Sequence, residues 1–107
     1  LFSTNGLARS ANSMIKRIVK LSFREDFASE FPDFFQSHRS AIAAFPGCTH
    51  LELLQDLTDP GVFFTLSHWS DTASLENYRK SDLFNGIWSK VSEKFSSKPE
   101  AWSLKTL

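Results

Sequence analysis

At 107 residues the chain is long enough for one domain built on one hydrophobic core. Its 12 basic and 12 acidic residues cancel, so it carries no electrostatic footprint for nucleic acid or for an anionic membrane surface. The single cysteine, Cys48, excludes an internal disulfide and suits a reducing cytoplasm, and no apolar run is long enough to span a bilayer. The rings set the chain apart: 11 Phe and 3 Trp give a large area of flat apolar surface that has to be buried.

In chain order, "LFSTNGLARSANS" (1–13) is small, polar and aperiodic, and reads as a loose or appended leader ahead of a folded domain at 14–107. "IKRIVKLSF" (15–23) is rich in β-branched residues, with Val19, Leu21 and Phe23 on one face, and predicts a first strand. From Phe27 to Phe45 the apolar positions Phe27, Phe31, Phe34, Phe35, Ile42 and Phe45 recur at steps of three and four, the pattern of an amphipathic helix. Pro32 belongs in its first turns, because deeper inside it would break the hydrogen-bond ladder, and "FPGC" supplies the stop.

"CTHLELLQD" (48–56) and "VFFTLSHW" (62–69) predict two strands joined by the short, turn-rich "LTDPG", hence an antiparallel hairpin. Ser70 or Asp71 caps a helix over about 72–79, and Ser81 or Asp82 caps a continuation through Phe95 with Phe84, Ile87, Trp88, Val91 and Phe95 as its buried stripe. "AWSLKTL" (101–107) predicts a fourth strand. The order β-α-β-β-α-β implies an α+β, ferredoxin-like fold: four antiparallel strands with both helices on one face. Strands two and three carry apolar groups on both faces, among them Leu51, Leu53, Leu54, Phe63, Phe64 and Leu66. Helices cover only one face, so a homodimer packed sheet against sheet is expected.

"FPGCTHLELLQDLTDPGVFFTLSHWSDTASLENYRKSDLF", in which Trp69 opens a W-S-x-x-x-x-L-x-x-Y-x-x-S-x-x-F pattern, resembles the antibiotic-biosynthesis monooxygenase family of dimeric α/β-barrel proteins, over residues 14–106. The resemblance implies a cavity between sheet and helices in each subunit. It also implies one of several activities, since the family includes cofactor-free oxygenases of polycyclic aromatic substrates, haem-degrading enzymes and proteins without an assigned role. The haem-degrading branch uses an asparagine in strand one, a tryptophan in helix two and a haem-ligating histidine about three turns later. Here strand one has no asparagine, and those two helix positions fall on Tyr78 and Trp88. No cofactor is therefore expected.

Trp69 matches the family's pocket tryptophan, on the strand face shared by Thr65 and Ser67, with Tyr78 nine residues on and Trp88 further along; each of these rings either fills core or lines a pocket. His38 falls between Phe34/Phe35 and Ile42 on the sheet-facing side of helix one, either as a satisfied core residue or as a base. His38 and Tyr78 are the proton handlers on inward faces, which makes them the candidate catalytic pair; Trp69, Trp88, Thr65 and Ser67 are the candidate substrate-binding residues. Arg79 sits on a solvated helix surface or steadies negative charge on a substrate. His50, His68 and Glu52 come together if the 57–61 loop closes symmetrically, as hydrogen-bonding groups rather than as a metal site, since no clustered ligand motif accompanies them. Cys48 reads as structural. The expected function is a cofactor-independent monooxygenase of a flat aromatic or quinol-like molecule; the alternative is a non-catalytic small-molecule-binding or structural module of the same fold. The two are separated by whether the cavity is open, at about 300 Å³ or more, or filled by its own rings.

Overall fold

The period-two alternation of residues 15–22 becomes strand β1 (Ile15–Ser22) in the computed structural model, which describes residues 14–107. The leader expectation for 1–13 lies outside the described residues. After β1 come α1 (Glu25–Ala28), α2 (Phe31–Ala43), β2 (Cys48–Gln55), β3 (Val62–Trp69), α3 (Thr72–Arg79), α4 (Asp82–Val91), a 3₁₀ turn at Ser92–Lys94 and β4 (Glu100–Leu104). The strands pair antiparallel in the order β2-β3-β1-β4, giving the ferredoxin-like sheet with helices on one face.

The single helix expected over 27–45 is two helices. Pro32 would sit in the interior of a continuous helix, where its ring clashes with the carbonyl four residues back and its missing N–H leaves a gap in the ladder. The break at Ser29–Glu30 instead places Pro32 in the first turn of α2, where no N–H partner is needed. The second correction is at Phe95, which is not part of the α4 stripe. The helix ends at Val91, and Phe95 forms an isolated bridge with Phe23, their rings stacked 5.3 Å apart. Arg24 secures that turn by donating to the Glu93 carbonyl at 2.8 Å. The expected fourth strand starts one residue earlier and ends at Leu104.

Asp71 and Ser81 are the caps of α3 and α4, their side chains accepting from the N–H groups of Ser74 and Phe84. The hairpin turn is built by Asp56, whose Oδ2 accepts from the N–H groups of Thr58 and Asp59 at 3.1 and 2.9 Å. It closes symmetrically, so that Gln55 pairs with Phe63 and His50 with His68.

This register sorts the inner face into rows. One runs Leu53, Thr65, Val19, Ala101 and the next Leu51, Ser67, Arg17, Ser103. At one end Leu21, Phe23, Phe31, Phe35, Phe63 and Val91 make the buried core. At the other end Trp69 packs with Phe45 and Tyr78. Between Phe63 and Trp69, both 1 % exposed, β3 offers only the small side chains Thr65 and Ser67. Helices held off the sheet by large rings at both ends leave a gap over those two residues.

The outer face carries Ile18, Leu54, Phe64, Leu66, Trp102 and Leu104 among His50, Glu52, His68 and Lys16. Leu54, Trp102 and Leu104 are exposed.

Candidate active site

The gap is a cavity of about 380 Å³, of the size ordinary small-molecule sites have. The six candidate catalytic and substrate-binding residues line it: Thr65, Ser67 and Trp69 from β3, His38 from α2, Tyr78 from α3 and Trp88 from α4. Phe34, Phe35, Ile42, Phe84, Ile87 and Leu75 complete the apolar wall.

Trp69 and Tyr78 form a stacked pair, ring centroids 4.9 Å apart at 26°. The Trp69 indole N–H donates to Ser67 Oγ at 2.9 Å, which satisfies the one polar atom of the ring and fixes its plane. Trp69 thus serves both readings, as a buried core ring that also closes the cavity. Trp88 stacks nearly parallel to Phe84 at 5.7 Å and lies 5.5 Å from Phe95.

His38 packs over Phe34, ring centroids 4.5 Å apart. Its Nδ1 lies 3.0 Å from the Phe34 carbonyl. A carbonyl oxygen only accepts, so this contact requires the proton on Nδ1 and leaves the lone pair on Nε2. Ser37 Oγ, 3.1 Å from the same Nδ1, donates to the same carbonyl. In the neutral ring a proton on Nδ1 puts the acceptor lone pair on Nε2, at the far end of the imidazole.

Tyr78 is the complementary group. Burial, with a smaller contribution from the Cys48 thiol, pushes its phenol up to about 12. A group so raised stays protonated at neutral pH and acts as a hydrogen-bond donor, not as a base. Phe45 and Phe84 meet its ring edge-on at 5.3 Å each.

Arg17 is the cationic cavity residue that was not identified in the sequence. It faces inward from β1, opposite Ser67. The signal was present: alternation places Arg17 on the face of Val19 and Leu21. Arg79 also reaches the cavity, paired with Glu76 at 3.0 Å on the surface of α3.

The second histidine group lies elsewhere. His50 and His68 are cross-strand neighbours, 4.7 Å between ring centroids, with Glu52 3.5 Å from His50, all on the outer sheet face. Burial holds the His68 imidazole below the usual histidine range, and the charges of His50 and Lys16 act the same way against Glu52. Among the described residues no group of three His, Cys, Asp or Glu side chains is arranged to hold a metal ion. Burial raises the Cys48 thiol, as suits a structural cysteine.

Fold and cavity together define a ferredoxin-like α+β domain with a ligand-sized, aromatic-walled space between its sheet and its helices. The model of the antibiotic biosynthesis monooxygenase family matches residues 14–87, and the chain belongs to that family. No curated protein matches it in sequence. Among solved structures it is similar to a conserved protein from Methanosarcina mazei Go1, at 22% identity and a TM-score of 0.84, covering 94% of this chain and 99% of that one. It is similar also to an antibiotic biosynthesis monooxygenase at 16% identity and 0.80, covering 87% and 98%. A third is Rv0793 from Mycobacterium tuberculosis, at 19% identity and 0.80, covering 89% and 96%. At these identities the likeness speaks for the fold alone.

Proposed function

We propose that the chain is a monooxygenase that oxidises a flat aromatic or quinol-like small molecule in this cavity without a cofactor. The observation that supports it most is His38, which lines the apolar, ring-walled cavity with its Nδ1 3.0 Å from the Phe34 carbonyl. Acting as a base, it removes a proton from an acidic carbon of an anthrone-like substrate, and the apolar surroundings disfavour water as a competing proton source. The carbanion passes an electron to O₂, and the two radicals combine to a peroxide. Loss of water then leaves a carbonyl, so that one oxygen atom enters the product and the other leaves as water. Tyr78, kept protonated, donates a hydrogen bond to the oxygen on which charge develops. Trp69 and Trp88 are the walls against which the rings lie, and Thr65 and Ser67 offer hydroxyls on the cavity floor. Family membership supports the oxygenase class.

Oxygen consumption with anthrone tests this reading. The native chain is expected to exceed the buffer rate, and His38→Ala to lose the excess while keeping its fold. No uptake by the native chain, or an unchanged rate in His38→Ala, would leave a non-catalytic small-molecule-binding module.

The functional unit in this reading is a homodimer packed through the outer sheet face, since Leu54, Trp102 and Leu104 are otherwise exposed there beside Phe64 and Leu66. Light scattering should give about twice the chain mass of 12.2 kDa. A stable monomer would contradict it. With one cysteine and no helix, among the described residues, long and apolar enough to cross a membrane, the cytoplasm is the compartment we assign.

A further inference from the structure

We propose that Arg17 anchors the carboxylate of a planar aromatic acid, so that the cavity takes an anionic ring system more tightly than a neutral one of the same shape. The proposal rests on the cavity reading above and narrows its ligand class.

Arg17 is the one charged residue among the inward-facing strand positions that the register defines. It stands in the row Leu51, Ser67, Arg17, Ser103, on the cavity floor. Its Nη1 donates to Ser103 Oγ at 2.8 Å, which orients the guanidinium but is a bond to a neutral group. Among the described residues Arg17 has no carboxylate within ion-pair distance, and residues 1–13 contain no Asp or Glu to supply one.

The acidic groups nearby are committed. Glu76 is bonded to Arg79 at 3.0 Å, and Glu100, which also lines the cavity, lies 3.9 Å from Lys20. The lining therefore holds two guanidiniums, one of them without a carboxylate in ion-pair contact. Burial comes first in holding Arg17 below the usual arginine value, and the neighbouring charge of Arg79 adds to it, with Glu76 acting in the opposite sense. Both causes describe a cation that gains from an incoming anion.

A guanidinium presents a planar fork that matches a carboxylate with two parallel hydrogen bonds, and such bonds strengthen where water is scarce. A carboxylate at Arg17 leaves the attached rings to lie over Thr65 and Ser67 against the aromatic walls. A single free guanidinium calls for a single negative charge, which favours a carboxylate over a phosphate. About 380 Å³ accommodates a molecule of two or three fused rings.

The test uses the full chain, isothermal calorimetry and two probes of equal shape, 2-naphthoate and its neutral analogue 2-naphthamide. The native protein is expected to bind the acid about tenfold or more tightly than the amide, the usual scale for a charge-assisted pair. Arg17→Gln should erase most of that preference by weakening the acid far more than the amide, and Arg17→Lys should retain part of it. Equal affinity of the native chain for the two probes overturns the proposal without needing any variant, as does an undiminished preference in a folded Arg17→Gln. If neither naphthyl compound binds, the cavity reading itself falls and the anchor with it. Binding of both probes alike would sink the anchor alone.

Discussion

Replacing Gly47 by alanine tests how the corner that carries Trp69 and Tyr78 is held. Gly47 has φ +91°, and a Cβ there would fall well inside van der Waals contact of Ser74 Cβ and Oγ, and 3.1 Å from Ser70 Oγ. Its carbonyl accepts from the Ser70 N–H at 2.8 Å, so it joins the α2–β2 connection to the start of α3. Two costs add. The left-handed backbone disfavours any residue with a Cβ by roughly 1–2 kcal/mol, and overpacking against Ser74 costs about 1–3 kcal/mol. Gly47→Ala is thus expected to lose about 2–5 kcal/mol. Ser74→Gly separates the two. The cap of α3 survives it, because Asp71 accepts from the backbone N–H of residue 74, and alone it costs roughly 0.5 kcal/mol of helix propensity. In the double variant the steric share should return, giving a coupling of about 1–3 kcal/mol. Urea unfolding followed by tryptophan fluorescence reads all four proteins. A Gly47→Ala chain within about 0.5 kcal/mol of the parent, or a double variant as unstable as the sum of its parts, would refute this account of the corner.

Tyr78→Phe should alter stability only in alkali. The folded phenol, raised by burial to about 12 from 10, stays protonated after the unfolded one has ionised, so its contribution is complete below pH 10 and is lost as pH rises towards 12. That span corresponds to roughly 2–3 kcal/mol. Chemical denaturation between pH 9 and 12 should show the native chain losing this amount relative to Tyr78→Phe, and parallel curves would contradict the assignment. Trp69→Ala is expected to cost about 3–5 kcal/mol of stability, because the ring is 1 % exposed; Trp88→Ala is the cleaner probe of the cavity wall, and thermal melts of the two variants should rank them in that order. Ser81→Ala removes the α4 cap and should cost about 1 kcal/mol in the same melts, with no loss contradicting the cap.

Much of the site could be read from periodicity. Steps of three and four placed His38 with Phe34, Phe35 and Ile42 facing the sheet, and alternation placed Thr65, Ser67 and Trp69 on one strand face. The break before Phe31 was harder to read, because the apolar spacing runs unchanged through Ser29 and Glu30 and the decision rests on the single ring of Pro32. Phe95 continues the α4 stripe in sequence yet leaves the helix, because its bridge to Phe23 competes successfully with one more turn. Whether the space between the rings stayed open was beyond composition, since it depends on how far Phe63 and Trp69 hold the helices above Thr65 and Ser67. Arg17 was legible in principle; a charged residue in an alternating strand reads most simply as a solvent-facing one.

The claim on which the account stands is that a planar molecule occupies this cavity within reach of His38 and Tyr78. A crystal structure of the chain with anthraquinone, a product-like ring system that the proposed reaction cannot consume, measures it directly. Planar density is expected beside Trp88 and Tyr78, with a quinone oxygen within hydrogen-bond distance of the Tyr78 hydroxyl. Density confined to the outer sheet face, or a cavity holding only water at saturating ligand, would contradict it.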